Sequence, residues 1–594
     1  MKHQLHSLLL LVLLASLFCG CERREIATEP QWEAALREIY SVEPMFRTLM
    51  PDNTGKNLAY LQPVENGRRL FLVNLESGAI KAISTSNEVS QIFGWSPDDR
   101  YLAYAEVSPE LLPQARTGGS FLNETWISVY GQTTGQSERL TTNSGAIEGS
   151  VAWLGTNTCF FSVTPIGKDY SQKLVLDLAT KTRRQVYNAL SDFVLISSNR
   201  AGFIRNGNIC ECELTADKYP KPEAVSRFET NAFDSLRWLR FDGRSGNYFF
   251  CARPGTSNER FLFQFSPATQ ELKQLTHEDT YNGQLLREGT GFAYVGNSSN
   301  RFYLALRSPI SSDDTSLFEG GSVVNYTVAP GGNRVYVTAA SGMEPHGIWE
   351  YDLDTKKLRQ IVSGTPAGFD TNKITMPVES RYKSADGVGV PYFVLPPASG
   401  RAARRSPVIV YLPPATWQFQ KVFDLQSQLF ARLGFYYVAV NYRGCDGYGR
   451  DYANLNNQAA AAEDVLGILK ELAAKNESFD TNNVFLCSQS SGEQLVNELL
   501  ADHPSAWRGA VLDHPSGFDY GSRFQPSTLP PVMVISGDQD RYLPALQGFV
   551  ASAKSNGAKV SLLVQTNTGH LNWKVAENRN TERKVVEFIF ENLK

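Results

Sequence analysis

Three residue types that together activate a hydroxyl occur late in the chain, in an order and setting that suit nucleophilic catalysis. Ser490 stands in Val484-Phe485-Leu486-Cys487-Ser488-Gln489-Ser490-Ser491-Gly492-Glu493. An apolar, strand-like segment runs into a tight turn of small residues. A helical pattern follows at once, with Leu495, Leu499 and Leu500 on one face. Such an elbow lifts the Ser490 hydroxyl clear of its neighbours. It also aims the first unpaired N–H groups of the helix, that of Ser491 foremost, at the place where an oxyanion would form. A serine needs a base, and the base needs an orienting acid. Pro531-Val532-Met533-Val534-Ile535-Ser536-Gly537 leads to Asp538-Gln539-Asp540, and Leu562-Leu563-Val564 leads through Thr566, Asn567 and Thr568 to Gly569-His570.

Each candidate lies just past the C-terminal end of an expected strand, where open parallel sheets place their sites. The chain order Ser490, Asp540, His570 is the order of the α/β-hydrolase fold, with Ser-x-Ser-x-Gly in place of Gly-x-Ser-x-Gly. Asp538 and Asp513 compete for the acid role, and loop position favours Asp540. His503, in Asp502-His503-Pro504, reads as a capping or turn histidine. His514 precedes the acid in the chain and reads as structural.

The elements that position these residues fill only the last part of the chain. Its 594 residues are too many for one ordinary domain. With 42% hydrophobic and 20% charged residues and a net charge of −4, the composition is that of a globular protein without the basic face that nucleic acid requires. Residues 1–21 read as a targeting segment. Lys2 is followed by the apolar run Leu8 to Phe18, too short to span a bilayer, which closes on Cys19-Gly20-Cys21. The pattern resembles a bacterial lipoprotein signal with Cys21 as the lipidated residue, although Phe18 is larger than that pattern prefers. It implies an extracytoplasmic protein that meets the membrane only through a lipid on Cys21. No pair among the eight cysteines has metal-site spacing, and most read as small buried hydrophobes. No cofactor or metal is implied, and oligomeric state has no signature.

Residues 22–41 read as an N-terminal extension. From 42 to 365 short alternating strands recur between turn clusters. Leu72-Val73-Asn74-Leu75-Glu76-Ser77-Gly78 has a counterpart in Val129-Tyr130-Gly131-Gln132-Thr133-Thr134-Gly135, and other copies begin near Leu174, Leu262 and Ile348. A period of about 44 residues with about four strands per unit predicts a β-propeller of about seven blades. Asp98 and Asp99, in Trp95-Ser96-Pro97-Asp98-Asp99, read as turn formers. Residues 366–594 change texture. A hairpin around Asp386-Gly387 precedes strands that alternate with helical segments, including Ala459 to Ala474 and Glu582 to Leu593, which predicts a mostly parallel α/β sheet.

This last region resembles the prolyl oligopeptidase family (S9) of serine peptidases. The phrases that carry the resemblance are Tyr382-Lys383-Ser384-Ala385-Asp386-Gly387, Asn441-Tyr442-Arg443-Gly444 with Gly447-Tyr448-Gly449, Glu463-Asp464-Val465, the Ser490 elbow, the loop from Asp540 to Pro544, and Gly569-His570. The resemblance implies cleavage of short peptides, a propeller that excludes folded proteins, and Ser490, His570 and Asp540 as nucleophile, base and acid. It places Phe518, Tyr520 and Tyr542 at a substrate pocket. Two departures stand out. Glu493 replaces a glycine after the elbow, and Pro413-Pro414 replace a glycine-rich turn that supplies an oxyanion donor; proline has no N–H to give. Tyr411 lies two residues before the donor position. An esterase of the same fold, or a catalytically weak lipid-anchored binding protein, stays open beside the peptidase.

Overall fold

The computed structural model describes residues 29–42, 47–108, 124–141, 146–165, 172–186, 193–213, 222–229, 232–255, 257–287, 291–298, 301–307, 314–318, 321–398, 405–415, 417–516, 528–570 and 574–593. Residues 1–28, with Cys21 and the targeting segment, lie outside the described residues, as do Phe518 and Tyr520.

Seven four-stranded antiparallel blades follow one another between Arg47 and Ser363. Their first strands begin at Arg47, Val89, Ala146, Phe193, Phe233, Thr280 and Gly321, close to the expected period apart from the interval after the second blade. The second strand of a blade carries its core. Tyr60, Tyr104, Tyr248, Tyr294 and Tyr336 are all buried there. Neighbouring blades are keyed together by side chains. The Trp95 indole donates to the Met50 carbonyl at 3.2 Å, and Trp153 donates to Gly94 at 2.9 Å. Asp99 does more than form its turn: one carboxylate oxygen accepts from the Asn53 N–H at 2.8 Å and the other from Thr54 at 3.1 Å, tying the second blade to the first.

Each blade is made of four consecutive strands, so no strand is shared between the two ends of the ring. Apolar packing closes it instead. Leu49, Leu58, Tyr60 and Val73 of the first blade form one cluster with Ala329, Tyr336, Ile348 and Val362 of the seventh.

The second domain is one eight-stranded sheet. Its strands are β1 (Val378–Lys383), β2 (Gly389–Leu395), β3 (Ser406–Leu412), β4 (Tyr436–Val440), β5 (Phe479–Gln489), β6 (Gly509–Asp513), β7 (Val532–Gly537) and β8 (Val560–Gln565), in the order β1-β2-β4-β3-β5-β6-β7-β8. Strands β3 to β8 run parallel, with β1 and β2 antiparallel at one edge. The parallel strands inside the sheet are buried on both faces, which is why they read as continuous apolar runs, while β8 at the edge is partly exposed. One apolar core lies on each face.

Residues 22–41 supply more than an extension. Helix α1 (Glu29–Ile39) places Trp32, Leu36 and Ile39 in the second of these cores, against α2 (Leu425–Arg432) and the last helix. The Glu38–Arg432 pair at 2.6 Å and the Glu33–Arg583 pair at 3.0 Å fix it there. Helix α3 (Gln458–Lys475) covers the expected Ala459 to Ala474 segment, and the last helix starts at Val575, earlier than the sequence pattern predicts, and ends at Glu591.

The propeller lies over the C-terminal edge of the parallel strands. Gln418 and Gln420, just beyond β3, meet Asn297 and Ser322 of the propeller. Asn297 also donates to the Gly447 carbonyl at 2.6 Å, and the Asp451 N–H donates to Asn258 at 2.7 Å.

Candidate active site

Strand β5 ends at Gln489, and Ser490 opens a single 3-10 turn, Ser490–Gly492, which runs into helix α4 (Glu493–Asp502). Ser490 has φ of +47°, a left-handed conformation that costs a side-chain-bearing residue energy and persists where the surroundings enforce it. Leu495, Val496, Leu499 and Leu500 of α4 are buried against the sheet. The glycine of the elbow is dictated by space. A Cβ at Gly492 would stand 2.3 Å from the Leu412 carbonyl oxygen at the end of β3.

The three residues expected to act together are together. Ser490 Oγ lies 2.9 Å from His570 Nε2, and His570 Nδ1 lies 2.9 Å from Asp540 Oδ2. The Asp540 side chain is fully buried, and its Oδ1 accepts from the Tyr542 N–H at 3.1 Å. Both oxygens are engaged, so the carboxylate is held to one orientation toward the imidazole.

Asp538, the rival acid, serves the loop that carries the base. Its two oxygens accept from the Asn567 N–H at 2.9 Å and the Thr568 N–H at 3.0 Å. Gln539 N–H adds a bond to the Thr568 carbonyl at 2.9 Å. This approach needs a glycine at the end of β7, because a Cβ on Gly537 would lie 1.9 Å from the Thr568 carbonyl oxygen.

The other rivals, Asp513 and His514, pair with each other at 2.8 Å. His514 is buried, and its ring meets the His570 ring edge to face at 6.0 Å between centroids. Burial works against the charged imidazolium of His514. The charge of Asp513, its hydrogen bond and the more distant Asp540 outweigh burial and raise the pKa. Sequence order alone gave no sign that this pair would sit beside the site. His503 caps the end of α4 and faces Glu463 at 3.4 Å. Tyr542 lies with its ring 5.6 Å from that of His570.

The other side of Ser490 is built differently. Ala415 supplies the first N–H after Pro413 and Pro414, and it donates to Ser491 Oγ at 3.1 Å. The Pro413 carbonyl accepts from the Tyr442 hydroxyl at 3.1 Å, and the Pro414 carbonyl from the Trp417 N–H at 2.9 Å. Tyr411 packs on Tyr437, with ring centroids 5.9 Å apart. Glu493 is buried and its Oε1 accepts from the Ser516 hydroxyl at 3.0 Å.

The remaining motif phrases converge on one side chain. The Arg443 guanidinium reaches Asp464 at 2.7 Å, Asp386 at 2.7 Å and Ser384 at 3.0 Å. Asn441 accepts from the Phe419 N–H at 2.7 Å. These residues hold loops at the strand ends.

A model of the prolyl oligopeptidase family matches residues 421–518. Among curated proteins, the acylamino-acid-releasing enzyme of Homo sapiens is 23% identical over 194 residues, and that of Sus scrofa is 23% identical over the same length. The match spans 26% of this chain and 26% of the human enzyme, so about a quarter of either length. Solved structures resemble the chain over almost all of it. A Mycobacterium tuberculosis puromycin-hydrolyzing peptidase has a TM-score of 0.75 at 13% identity, covering 94% of this chain and 96% of that one. The Pyrococcus horikoshii acylaminoacyl peptidase has a TM-score of 0.70 at 15% identity, covering 93% and 96%. A prolyl endopeptidase structure has a TM-score of 0.73 at 14% identity, covering 94% and 91%. At these identities the structural likeness speaks for the fold. The sequence match to the prolyl oligopeptidase family spans the elbow, and the likeness in fold to these peptidase structures extends over the propeller as well.

Proposed function

We propose that the protein is a serine hydrolase that cleaves short peptides through an acyl-enzyme on Ser490. The observation that carries this reading is the unbroken chain from Ser490 Oγ to His570 Nε2 at 2.9 Å and from His570 Nδ1 to Asp540 Oδ2 at 2.9 Å. In this mechanism His570 takes the Ser490 proton as Oγ attacks the substrate carbonyl. It then gives that proton to the leaving amine and activates a water to release the acyl group. Asp540 holds the tautomer in which Nε2 is free to accept, and stabilises the imidazolium as it forms. The Ser491 N–H supplies one donor to the oxyanion. A propeller standing over the strand ends favours short, unstructured substrates over folded ones. The leader that ends at Cys21 extends the proposal to a lipid-anchored protein of the bacterial cell envelope.

Labelling with a fluorophosphonate probe tests the assignment. The wild-type protein should label, while Ser490→Ala and His570→Ala should not. Labelling that survives Ser490→Ala removes Ser490 from the reaction.

One observation favours a second reading. The Ala415 N–H, the first available after Pro413 and Pro414, is engaged by Ser491 Oγ. An oxyanion site with a single strong donor loses about 10²- to 10³-fold in rate. Esters tolerate that loss better than amides. Turnover of p-nitrophenyl acetate with no cleavage anywhere in a peptide library would establish an esterase, and labelling without turnover of either would point to a binding protein.

A further inference from the structure

Beside the three residues of the proposed mechanism lies a second aspartate–histidine pair that the mechanism does not use. Asp513 ends β6, in register with Gln489 at the end of β5. Gln489 is the residue before the nucleophile, and its side-chain amide donates to Asp513 Oδ2 at 3.3 Å. The other oxygen, Oδ1, accepts from His514 Nδ1 at 2.8 Å. One carboxylate therefore joins the approach to Ser490 to an imidazole that packs on His570.

His514 is held in a strained conformation. Its φ of +45° lies in the left-handed region, which a residue with a Cβ keeps only where its surroundings enforce it, and such residues cluster where geometry serves function. The enforcing contacts are specific. The His514 N–H donates to the Ile535 carbonyl at 2.9 Å, the side chain is only 5% exposed, and Nδ1 is bound to Asp513. Filling this space would need neither a strained backbone nor a carboxylate bonded to the ring. The ring so fixed meets that of His570 with 6.0 Å between centroids and 80° between planes. Tyr542 meets the same imidazole at 5.6 Å and 61°.

What these ring contacts do depends on the stage of the reaction. Before acylation, His570 Nε2 has the Ser490 hydroxyl 2.9 Å away to direct it. In the acyl-enzyme Oγ is esterified and has no proton to share. His570 must then take a proton from water as the water oxygen attacks the acyl carbonyl. The bond from the carbonyl carbon to Oγ breaks, the proton passes to Oγ, and the carboxylic acid leaves. The contacts with His514 and Tyr542 do not depend on the Ser490 hydroxyl and persist through this step. We propose that His514, anchored by Asp513, is a positioning residue for deacylation, which keeps the His570 imidazole turned toward the acyl carbonyl once the Ser490 hydroxyl is consumed. The inference rests on the acyl-enzyme reading and assigns a residue to its second half.

Pre-steady-state hydrolysis of p-nitrophenyl acetate by the full-length protein separates the two halves, because acylation releases nitrophenolate and deacylation frees the acetyl group. His514→Asn removes the ring and keeps a residue type that tolerates the left-handed backbone. Deacylation should slow by about tenfold more than acylation, a loss in the range expected when a reacting group is less well held. Stopped-flow traces should show a larger burst before a slower steady state. Intact-protein mass spectrometry should find a larger fraction of the protein acetylated than in the wild type. Asp513→Asn keeps the ring and weakens its anchor, so it should shift the ratio of the two rates in the same direction and by less. Equal losses in both steps would make His514 a structural residue only and overturn the proposal. So would an unchanged ratio in both variants. A burst that survives Ser490→Ala would overturn the acyl-enzyme reading itself, and this role would fall with it.

Discussion

The two sides of Ser490 are built to different standards. On the base side every polar atom that orients the proton path is fixed: Asp540 by Tyr542 and His570, and the His570 loop by both oxygens of Asp538. On the oxyanion side two prolines stand where N–H groups could be, and the next N–H is drawn to Ser491 Oγ. The contrast teaches that proton transfer and charge stabilisation are separable parts of one site. For the proposed acyl transfer, the groups for the first are all in place and those for the second are few.

The base side should therefore show the largest losses. Asp540→Asn keeps the size of the side chain but can donate to His570 Nδ1, which favours the tautomer whose Nε2 carries the proton. The rate of acylation should fall by about 10⁴-fold. Stopped-flow acylation by p-nitrophenyl acetate checks this. A loss below tenfold would mean that Asp540 does not orient His570, and the contrast would collapse.

A second test asks what holds the base side from behind. Strand β8, from which the His570 loop leaves, is braced by the last helix through a 2.8 Å bond from Gln565 to Thr581. The next residue, Glu582, is buried and accepts from Gln426 at 3.2 Å. Burial raises its pKa from the ordinary 4.5 to about 7, against the lowering effect of hydrogen bonds from Gln426 and Tyr40. The folded protein thus holds this proton more tightly than the unfolded chain. The stabilisation is complete below about pH 4.5 and is lost as pH rises through about 7, a change of about 3 kcal/mol. Glu582→Gln should flatten the melting temperature over that window, measured by calorimetry at several pH values. An unchanged pH dependence would show that the brace does not rest on this carboxyl group.

The base side was also the more legible in sequence. The order Ser490, Asp540, His570 and their places after strands follow from alternation and turn chemistry, which are local signals. The propeller was legible for a similar reason, since its period repeats a local pattern. Other features depend on pairings distant in sequence. Nothing near Asp538 shows that its oxygens would reach residues 567 and 568, and nothing near His514 shows that it would lie beside His570. Helix α1 was missed because its apolar face is covered by helices some four hundred residues or more away in the chain, starting at Leu425. The missing N–H groups of Pro413 and Pro414 were legible from residue type alone. The diversion of the Ala415 N–H was not, because it depends on the rotamer of Ser491.

That diversion gives the smallest but most discriminating prediction. In Ser491→Ala the Ala415 N–H loses its acceptor. A polar group left unsatisfied near the interior costs about 1–3 kcal/mol. In the resting protein that cost should appear as a lower melting temperature. In the tetrahedral intermediate the same N–H gains a possible partner, because an oxyanion forming beside the elbow is a stronger acceptor than the lost hydroxyl. The transition state would then recover what the ground state gave up, and kcat for an amide substrate should rise by about tenfold, toward the value of a full donor. Ester turnover should rise less, and the ester-to-amide ratio is the quantity to measure. A fall in amide turnover together with the lower melting temperature would mean that the Ser491 hydroxyl itself positions the turn for catalysis, and the oxyanion side would be better built than its two prolines suggest.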